Sequence, residues 1–238
     1  MAANNEIGVL QPLAEIGKLC RKRSVIFHTD AAQAIGKISL NVNSLNIDLM
    51  SLTAHKVYGP KGIGALYVRR SPRVKLSPQL HGGGHERGRR SGTLYPPQIV
   101  GFATAVETAL VEIEPRTAQL IELRERLWSQ LREIDGIYLN GHPTKRLAGN
   151  LNISVAGVDG NALLLGLRST VALSSGAACS SAKIAPSHVL QALGRSESLA
   201  YAALRFGIGH NNTVEQIDLV AMATIETIHS LRKLALRS

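Results

Sequence analysis

Lys56 lies in the stretch SLTAHKVYGPKG, where a hydroxyl and an imidazole come shortly before it. Thr53 precedes the lysine by three positions and His55 by one, in a link that follows an apolar run. Links after strands are the places where side chains of α/β proteins meet ligands. A lysine amine can form an imine with an aldehyde, and the hydroxyl and imidazole could hold a phosphate.

A carboxylate ends the apolar run that comes before this link. Asp30 closes the stretch SVIFHTD, and Gln33 follows three residues later. A lysine that binds pyridoxal 5'-phosphate needs a carboxylate partner, which keeps the pyridine nitrogen protonated so that the ring accepts electrons. Composition alone favours a more ordinary explanation, a solvated Lys56 and an aspartate that caps a helix. Both interpretations remain open at this point.

Cys179 lies among small residues in the stretch LSSGAACSSAKIAPSHVL. That composition predicts an exposed, mobile segment, in which Lys183 and His188 would favour the thiolate form. A thiolate in such a segment can act as a nucleophile, whereas the alternative is an inert cysteine in a serine-rich turn. Cys20 lies on the apolar face of a predicted helix, and we expect it to serve packing only.

Arg205 stands alone in the apolar stretch LRFGIG. Arginine is rarely buried without a partner. We therefore expect its guanidinium to face an acidic side chain or the carboxylate of a substrate.

The stretch HGGGHERG suggests metal binding, but its glycines argue against it. A zinc pair four residues apart requires a helix that presents both ligands on one face, and three glycines disfavour that helix. We expect no metal at His81, His85 and Glu86, and we expect residues 87–93 to supply anion donors instead.

The elements that must position these residues alternate between helix and strand. Pro12 opens a predicted helix, and SVIFHTD, IDLMSL and GIGALYV read as continuous apolar strands. Such strands predict an α/β fold, a mostly parallel sheet covered by helices. Residues 71–96 show no period and predict a long loop.

The second half of the chain predicts a smaller α+β domain. Helices are expected from about Pro97 and from Pro115, and the closing helix has Thr213 as N-cap with Gln216 as its capping-box partner. The stretches GIYLN and GNLNISVAGV read as strands of this domain. We place the boundary near residue 110, giving a large domain over residues 1–110 and a small one over 111–238 that carries the cysteine segment.

Composition excludes several classes of protein. The chain has 238 residues, of which 45% are hydrophobic and 18% charged, enough for a buried core. Two cysteines cannot form a disulfide framework, which favours a reducing, cytoplasmic location, and no apolar run is long enough for a membrane span. The net charge of +10 suggests anionic ligands, but an aromatic content of 4% disfavours nucleic acid as the partner.

Taken together, these segments resemble one family, the cysteine desulfurases of the NifS/IscS group, which are class-V aminotransferase relatives among the fold-type-I pyridoxal-phosphate enzymes. Seven consecutive segments carry the resemblance over nearly the whole chain, and a run of segments in family order is far more specific than any single motif. They are NNEIGVLQP, FHTDAAQAIGK, DLMSLTAHKVYGPKGIGALYVRR, HGGGHERGRRSGT, NLNISV, LSSGAACSSAKIAPSHVLQALG and LRFGIG.

The resemblance implies a role for each candidate residue. Lys56 matches the Schiff-base lysine, Asp30 the partner of the pyridine nitrogen, and Cys179 the cysteine that carries the persulfide. His55 is assigned both to catalysis and, with Thr53, to the phosphate. The remaining assignments are Gln33 and Asn5 at the ring oxygen, Thr93 as a phosphate hydroxyl supplied across a dimer, and Arg205, with Asn5, at the substrate carboxylate.

The implied function is conversion of L-cysteine to L-alanine, with the sulfur passed from Cys179 towards an acceptor or scaffold protein in iron–sulfur cluster assembly. A homodimer is implied as well. From the resemblance we expect the family's N-terminal part to be absent from the chain, including a ring-stacking histidine and part of the phosphate cradle. Thr53 replaces the more common serine of the family. Alternatives are a related lyase such as a selenocysteine lyase, or a truncated chain that binds partners or is inactive.

Overall fold

The computed structural model describes residues 1–174 and 186–236, which divide into two compact units. Unit 1 comprises Met1–Ala2 and Gln11–Ile113, and unit 2 comprises Ala3–Leu10 and Glu114–Ser238. The break after Ile113 compares with the boundary that the sequence predicts near residue 110. Residues 3–10, which that boundary assigns to the first domain, group with unit 2 because their backbone bonds to unit 2, as between Leu147 N and Gly8 O at 2.9 Å.

Unit 1 is a mixed α/β unit built around a three-stranded sheet. Strand β1 (His28–Asp30) pairs in parallel with β2 (Leu49–Thr53), and β2 pairs antiparallel with β3 (Gly64–Val68). Short 3₁₀ turns cover His55–Val57 and Glu86–Gly88. Its helices and strands in chain order are α1 (Leu13–Lys22), β1 (His28–Asp30), β2 (Leu49–Thr53), β3 (Gly64–Val68) and α2 (Pro96–Val111).

Strand β1 is shorter than its apolar run predicts. Residues 24–27 lie outside it, and Ser24 has a positive φ of 54°. Phe27 N donates to the Asp48 carboxylate at 3.0 Å instead of joining the ladder. A buried side-chain acceptor has therefore replaced a strand partner, which hydrophobicity alone could not predict.

Helix α2 packs closely against the link formed by residues 53–56, here called the Lys56 link. Ala54, Val57, Phe102 and Ala109 belong to one buried cluster. Gly36 has a φ of +67°, and a Cβ there would meet Val57 Cγ2 at 2.5 Å and Ala109 Cβ at 2.8 Å. Glycine at this position thus permits both the turn after β1 and its close approach to α2.

Unit 2 is built around an antiparallel sheet whose strands lie in the order β4 (Ile137–Leu139), β5 (Asn150–Val155) and β6 (Ala203–Gly207). All six positions of the central strand β5 are buried, and helices α3, α4 and α7 contribute to the surrounding core. The elements are α3 (Ile113–Leu131), β4 (Ile137–Leu139), β5 (Asn150–Val155), α4 (Gly160–Leu167), α5 (His188–Ala192), α6 (Glu197–Tyr201), β6 (Ala203–Gly207) and α7 (Val214–Ala235).

The predicted capping box at the start of α7 is confirmed. Thr213 Oγ1 accepts from Gln216 N at 3.3 Å, and Gln216 Oε1 accepts from Thr213 N at 3.2 Å. The helix expected from Pro115 begins at Ile113, which places the proline in the first turn, where its missing N–H costs nothing.

Within residues 1–174 and 186–236, no helix is both long and apolar enough to span a bilayer. The same residues contain no group of three or more histidine, cysteine or acidic side chains suited to a metal ion.

Candidate functional site

In unit 1, four of the predicted site residues follow or end neighbouring strands at one edge of the sheet. The parallel register pairs Asp30, the last residue of β1, with Ser51 of β2. Thr53 ends β2, and His55 and Lys56 lie in the 3₁₀ turn that follows. Because parallel strands end at the same edge of a sheet, Asp30, Thr53, His55 and Lys56 share that edge.

The Lys56 link is held by its backbone and not by its functional side chains. Ala54 is fully buried, and its N–H donates to Ile63 O at 3.1 Å, while its carbonyl accepts from Val57 N and Gly59 N, both at 3.0 Å. The Thr53 hydroxyl and the His55 Nδ1 are hydrogen-bonded at 3.0 Å. These hydrogen bonds hold the link in place, and among the described residues none of them involves the half-buried side chain of Lys56.

The Asp30 carboxylate is exposed at the end of β1. Its Oδ1 accepts from Ala32 N at 2.8 Å, which orients the group, and its backbone carbonyl accepts from Ala2 N at 2.6 Å. Pyridoxal 5'-phosphate requires a lysine for its aldehyde and a carboxylate for its ring nitrogen. This edge of the sheet offers both, together with a hydroxyl and an imidazole that could hold the phosphate. The residues of this edge therefore fit that cofactor.

Two predicted cofactor ligands in unit 1 stand apart from this bonded set. Gln33 is half-buried in the turn after β1, and Thr93 is exposed in the irregular segment before α2. Among the described residues, neither makes a hydrogen bond to the link formed by residues 53–56. Their assignments continue to rest on the resemblance.

Sequence reasoning missed two side chains near this edge. Ser51 Oγ is hydrogen-bonded to His28 Nε2 at 2.9 Å, a pairing that the strand register could have indicated. Lys37 is half-buried, and burial lowers its pKa, with a smaller contribution in the same direction from the charge of Lys56. No pattern in the sequence indicates that these two lysines interact.

In unit 2, the structure brings together Asn5 and Arg205. Arg205 lies on β6, with its backbone N–H bonded to Ser174 O at 3.1 Å. Its Nη1 donates to the backbone carbonyl of Asn5 at 2.9 Å. The sequence predicted an acidic side chain or a substrate carboxylate as the partner, and the partner found within the described residues is a main-chain carbonyl, which uses one of the five guanidinium donors.

One of the two cysteines, Cys20, lies within the described residues. Cys179 lies outside the described residues, so its predicted nucleophilic role stays a prediction. Cys20 is a free, half-buried thiol on α1.

A family model for aminotransferase class-V matches residues 1–220. The chain is 52% identical to the cysteine desulfurase IscS of Tolumonas auensis, over 99% of this chain and 58% of that protein. It is also 52% identical to the mitochondrial cysteine desulfurase of Arabidopsis thaliana, over 99% of this chain and 52% of that protein. The chain thus spans about half to three fifths of the length of these relatives.

Solved structures show the same relationship. A NifS-like protein from Rickettsia africae superposes with a TM-score of 0.86 at 31% identity, over 96% of this chain and 60% of that one. A structure described as SspA in complex with cysteine gives a TM-score of 0.72 at 35% identity, over 89% of this chain and 58% of that one.

Proposed function

The chain belongs to the aminotransferase class-V family, and from that premise we propose that it is a pyridoxal-phosphate-dependent cysteine desulfurase, or the part of one that carries its lysine and its cysteine. The observation that carries the proposal is that Thr53, His55 and Lys56 lie in the hydrogen-bonded link after β2, at the same sheet edge as the oriented carboxylate of Asp30. The identity of 52% to named cysteine desulfurases supports the choice of reaction.

Each residue of the Lys56 edge has a distinct task in this proposal. Lys56 would hold the aldehyde of the cofactor, and its amine would serve as the base that removes the Cα proton of the substrate. Asp30 would keep the ring nitrogen protonated, and Thr53 and His55 would hold the phosphate. The bound cofactor supplies an electron sink for bond breaking at Cα.

The remaining assignments rest on the family resemblance. Gln33 and Asn5 would donate to the ring oxygen, and Thr93 would contribute a hydroxyl to the phosphate bound by a second copy. Arg205, with Asn5, binds the carboxylate of L-cysteine, for which its planar fork of donors is suited.

The sulfur step is a transfer to Cys179. The Cys179 thiolate attacks the sulfur of the substrate, so that an S–S bond forms as the C–S bond of cysteine breaks. L-cysteine and the Cys179 thiol thereby become L-alanine and a Cys179 persulfide, with no other reactant consumed. A reduced thiol is required, which agrees with the cytoplasmic location that the cysteine content favours. The persulfide sulfur then goes to an acceptor or iron–sulfur scaffold protein.

A second copy of the chain is the proposed partner of helix α2. Ile99, Val100, Leu110 and Val111 are exposed on this helix, and Glu107 is its one charged residue. A helix that is apolar on several faces is normally covered on all of them. Val100→Glu should therefore shift the chain from dimer to monomer in sedimentation velocity, whereas Leu165→Glu, at an equally exposed position on α4, should not.

The share of the relatives' length that the chain covers favours a second candidate function. Because the chain spans 58% of the IscS relative, the second candidate function is that of a component that is active only together with the remaining part of that length. This candidate predicts no alanine formation by the chain alone, and alanine formation when a polypeptide covering the remaining part is added.

The test is to load the purified chain with pyridoxal 5'-phosphate, reduce it with borohydride and map the labelled peptide, with and without the remaining part of the relatives' length. We expect a stable adduct on Lys56, its loss in Lys56→Ala, and its retention in Lys61→Ala, which changes an exposed lysine nearby. Cys179→Ser should keep the adduct and stop alanine formation. A label on another lysine, or none in either preparation, would rule the proposal out.

A further inference from the structure

The turn that carries Asn5 is unusually well anchored within unit 2. Asn4 Oδ1 accepts from Glu6 N at 2.8 Å and from Ile7 N at 2.9 Å, which closes the turn locally. Gly8 has a φ of +73°, and a Cβ at that position would lie 2.6 Å from Asn150 Oδ1. The backbone of the turn therefore lies directly against the side chain of the first residue of β5.

Buried side chains bind the two carbonyls that follow Asn5. Asn152 Nδ2 donates to Glu6 O at 3.2 Å, and Asn150 Nδ2 donates to the same oxygen at 3.3 Å. Arg146 Nη2 donates to Ile7 O at 2.8 Å. All three donors are at least nine tenths buried.

A further residue fixes the orientation of the Asn152 amide. Asn140 Nδ2 donates to Asn152 Oδ1 and to Ser154 Oγ, both at 2.8 Å, and Arg195 Nε donates to Asn140 Oδ1 at 2.8 Å. Because Asn152 Oδ1 must accept from Asn140, its Nδ2 is the end that faces the turn. The hydrogen bonds from Arg195 to Asn140 and from Asn140 to Asn152 thus determine that Asn152 Nδ2 donates to Glu6 O.

The same turn fixes Arg205. Asn152 and Arg205 are directly opposite each other on β5 and β6, and opposite residues of an antiparallel pair project from the same face. Asn152 binds Glu6 O, while Arg205 Nη1 binds the neighbouring Asn5 O at 2.9 Å. The carbonyl that accepts from Arg205 is therefore directly followed in the chain by the carbonyl that the amide of its cross-strand neighbour binds.

The network also carries a cost in stability at Arg146 and Glu6. Arg146 Nε and Nη1 and Glu6 Oε1 are buried without a hydrogen-bond partner among the residues described, and such atoms destabilise a fold. Burial and the charge of Arg124 also lower the pKa of Arg146 to about 10. The donors to Glu6 O and Ile7 O are therefore kept in spite of this cost.

We propose that Asn152, supported by Asn150 and Arg146, is a positioning residue for carboxylate recognition. It holds the turn at Asn5–Ile7, and through the Asn5 carbonyl it keeps the Arg205 guanidinium in one orientation, so that its other donors are prearranged for a substrate carboxylate. This inference rests on the proposed role of Arg205 as the residue that binds the carboxylate of L-cysteine.

The test uses Asn152→Asp, which keeps the shape and the oxygen that accepts from Asn140 but removes the donor to Glu6 O. Asn150→Asp is the second variant, in case a buried charge at position 152 prevents folding. Thr224→Val is the matched control, because it removes a fully buried hydroxyl, bonded to Val220 O at 2.7 Å, that lies outside this network.

The first measurement needs only the chain. We expect the side-chain N–H groups of Arg205 and the amides of residues 5–7 to exchange with deuterium at least about tenfold faster in the aspartate variants, as the loss of one hydrogen bond to the turn implies. Thr224→Val should leave these rates unchanged. Equal exchange rates in all the variants would overturn the proposal.

The second measurement uses the protein loaded with pyridoxal 5'-phosphate in the preparation that forms alanine. The aspartate variants should raise KM for L-cysteine about tenfold, with kcat changed less than about twofold, because the lost interaction serves carboxylate binding. If Arg205→Gln raises KM and the aspartate variants do not, positioning by Asn152 is refuted and the role of Arg205 survives. If Arg205→Gln leaves KM unchanged, the role of Arg205 fails and this inference fails with it.

Discussion

The central strands of the two sheets differ in how fully they are covered. All six residues of β5 in unit 2 are buried, whereas β2 in unit 1 has one buried residue, Met50, among its five. Among the described residues, the twelve largest fully buried side chains include only one from unit 1, Ile47. Unit 1 thus holds its proposed cofactor residues on a sheet with little large apolar packing around it.

This difference shows that the two units are stabilised in different ways. Unit 2 has an extensive apolar core, whose burial contributes roughly 25 cal/mol per Å². In unit 1, the junction of β2 with β3 depends on a buried ion pair, in which Arg69 Nε lies 3.0 Å from Asp48 Oδ1 and Arg69 Nη2 lies 2.7 Å from Ile47 O. Four sets of substitutions test this difference between the units.

The largest effect is expected from Arg69→Met in unit 1. It leaves Asp48 buried without its main cation, which typically costs about 3–5 kcal/mol. Chemical denaturation should report the loss, and Arg126→Met, which removes the exposed pair of Arg126 with Asp218 in unit 2, should give little measurable change. Comparable losses in the free energy of unfolding for the two variants would show that unit 1 does not depend on the buried pair of Arg69 with Asp48.

A core truncation should next separate the two units. Leu163→Ala in α4 removes a fully buried side chain and should cost about 3 kcal/mol in the free energy of unfolding. Leu66→Ala in β3 changes a half-exposed side chain and should cost about 0.5 kcal/mol or less. Equal costs would mean that β3 is covered in solution by something that makes its packing like that of unit 2.

A smaller effect is expected at Lys37, and its sign depends on pH. Because the folded chain lowers the pKa of Lys37, the unfolded chain binds more protons between that lowered pKa and 10.5, and stability rises with pH through this window. Lys37→Met should therefore stabilise the chain at pH 7, and the gain should shrink as the pH approaches 10.5. Lys22→Met, at an exposed position on α1, should show no such trend in unfolding measured against pH.

The smallest effect concerns the exposed pair in unit 2. Hydrogen bonds from Arg126 and Gln130 lower the pKa of the Asp218 carboxyl, with the Arg126 bond contributing most. A carboxyl whose folded pKa is lowered stabilises the fold above its unfolded value of about 3.9, and the contribution is lost as the pH falls through the folded value. Asp218→Asn should flatten this slight acid dependence of unfolding, and an unchanged dependence would show that the pair contributes nothing.

Local patterns predicted the elements that depend on near neighbours. The α7 capping box needs only Thr213 and Gln216, three positions apart, and both hydrogen bonds are present. The two strands on either side of Lys56 were also predicted, because two apolar runs separated by a short turn form a local sequence pattern. Strand β1 was predicted too long because the Asp48 carboxylate that binds Phe27 N comes from 21 residues away.

The family follows from the amino-acid sequence, which also predicts the reactive groups, since a lysine, a carboxylate and a cysteine each carry their chemistry in their own side chain. The groups that support them are seen only in the folded chain. The bond from Arg205 to the Asn5 carbonyl and the contact of Asn152 with Glu6 join residues 200 and 146 positions apart. No local preference encodes such pairs, because their partners are main-chain carbonyls that every residue type offers and that folding alone brings within reach.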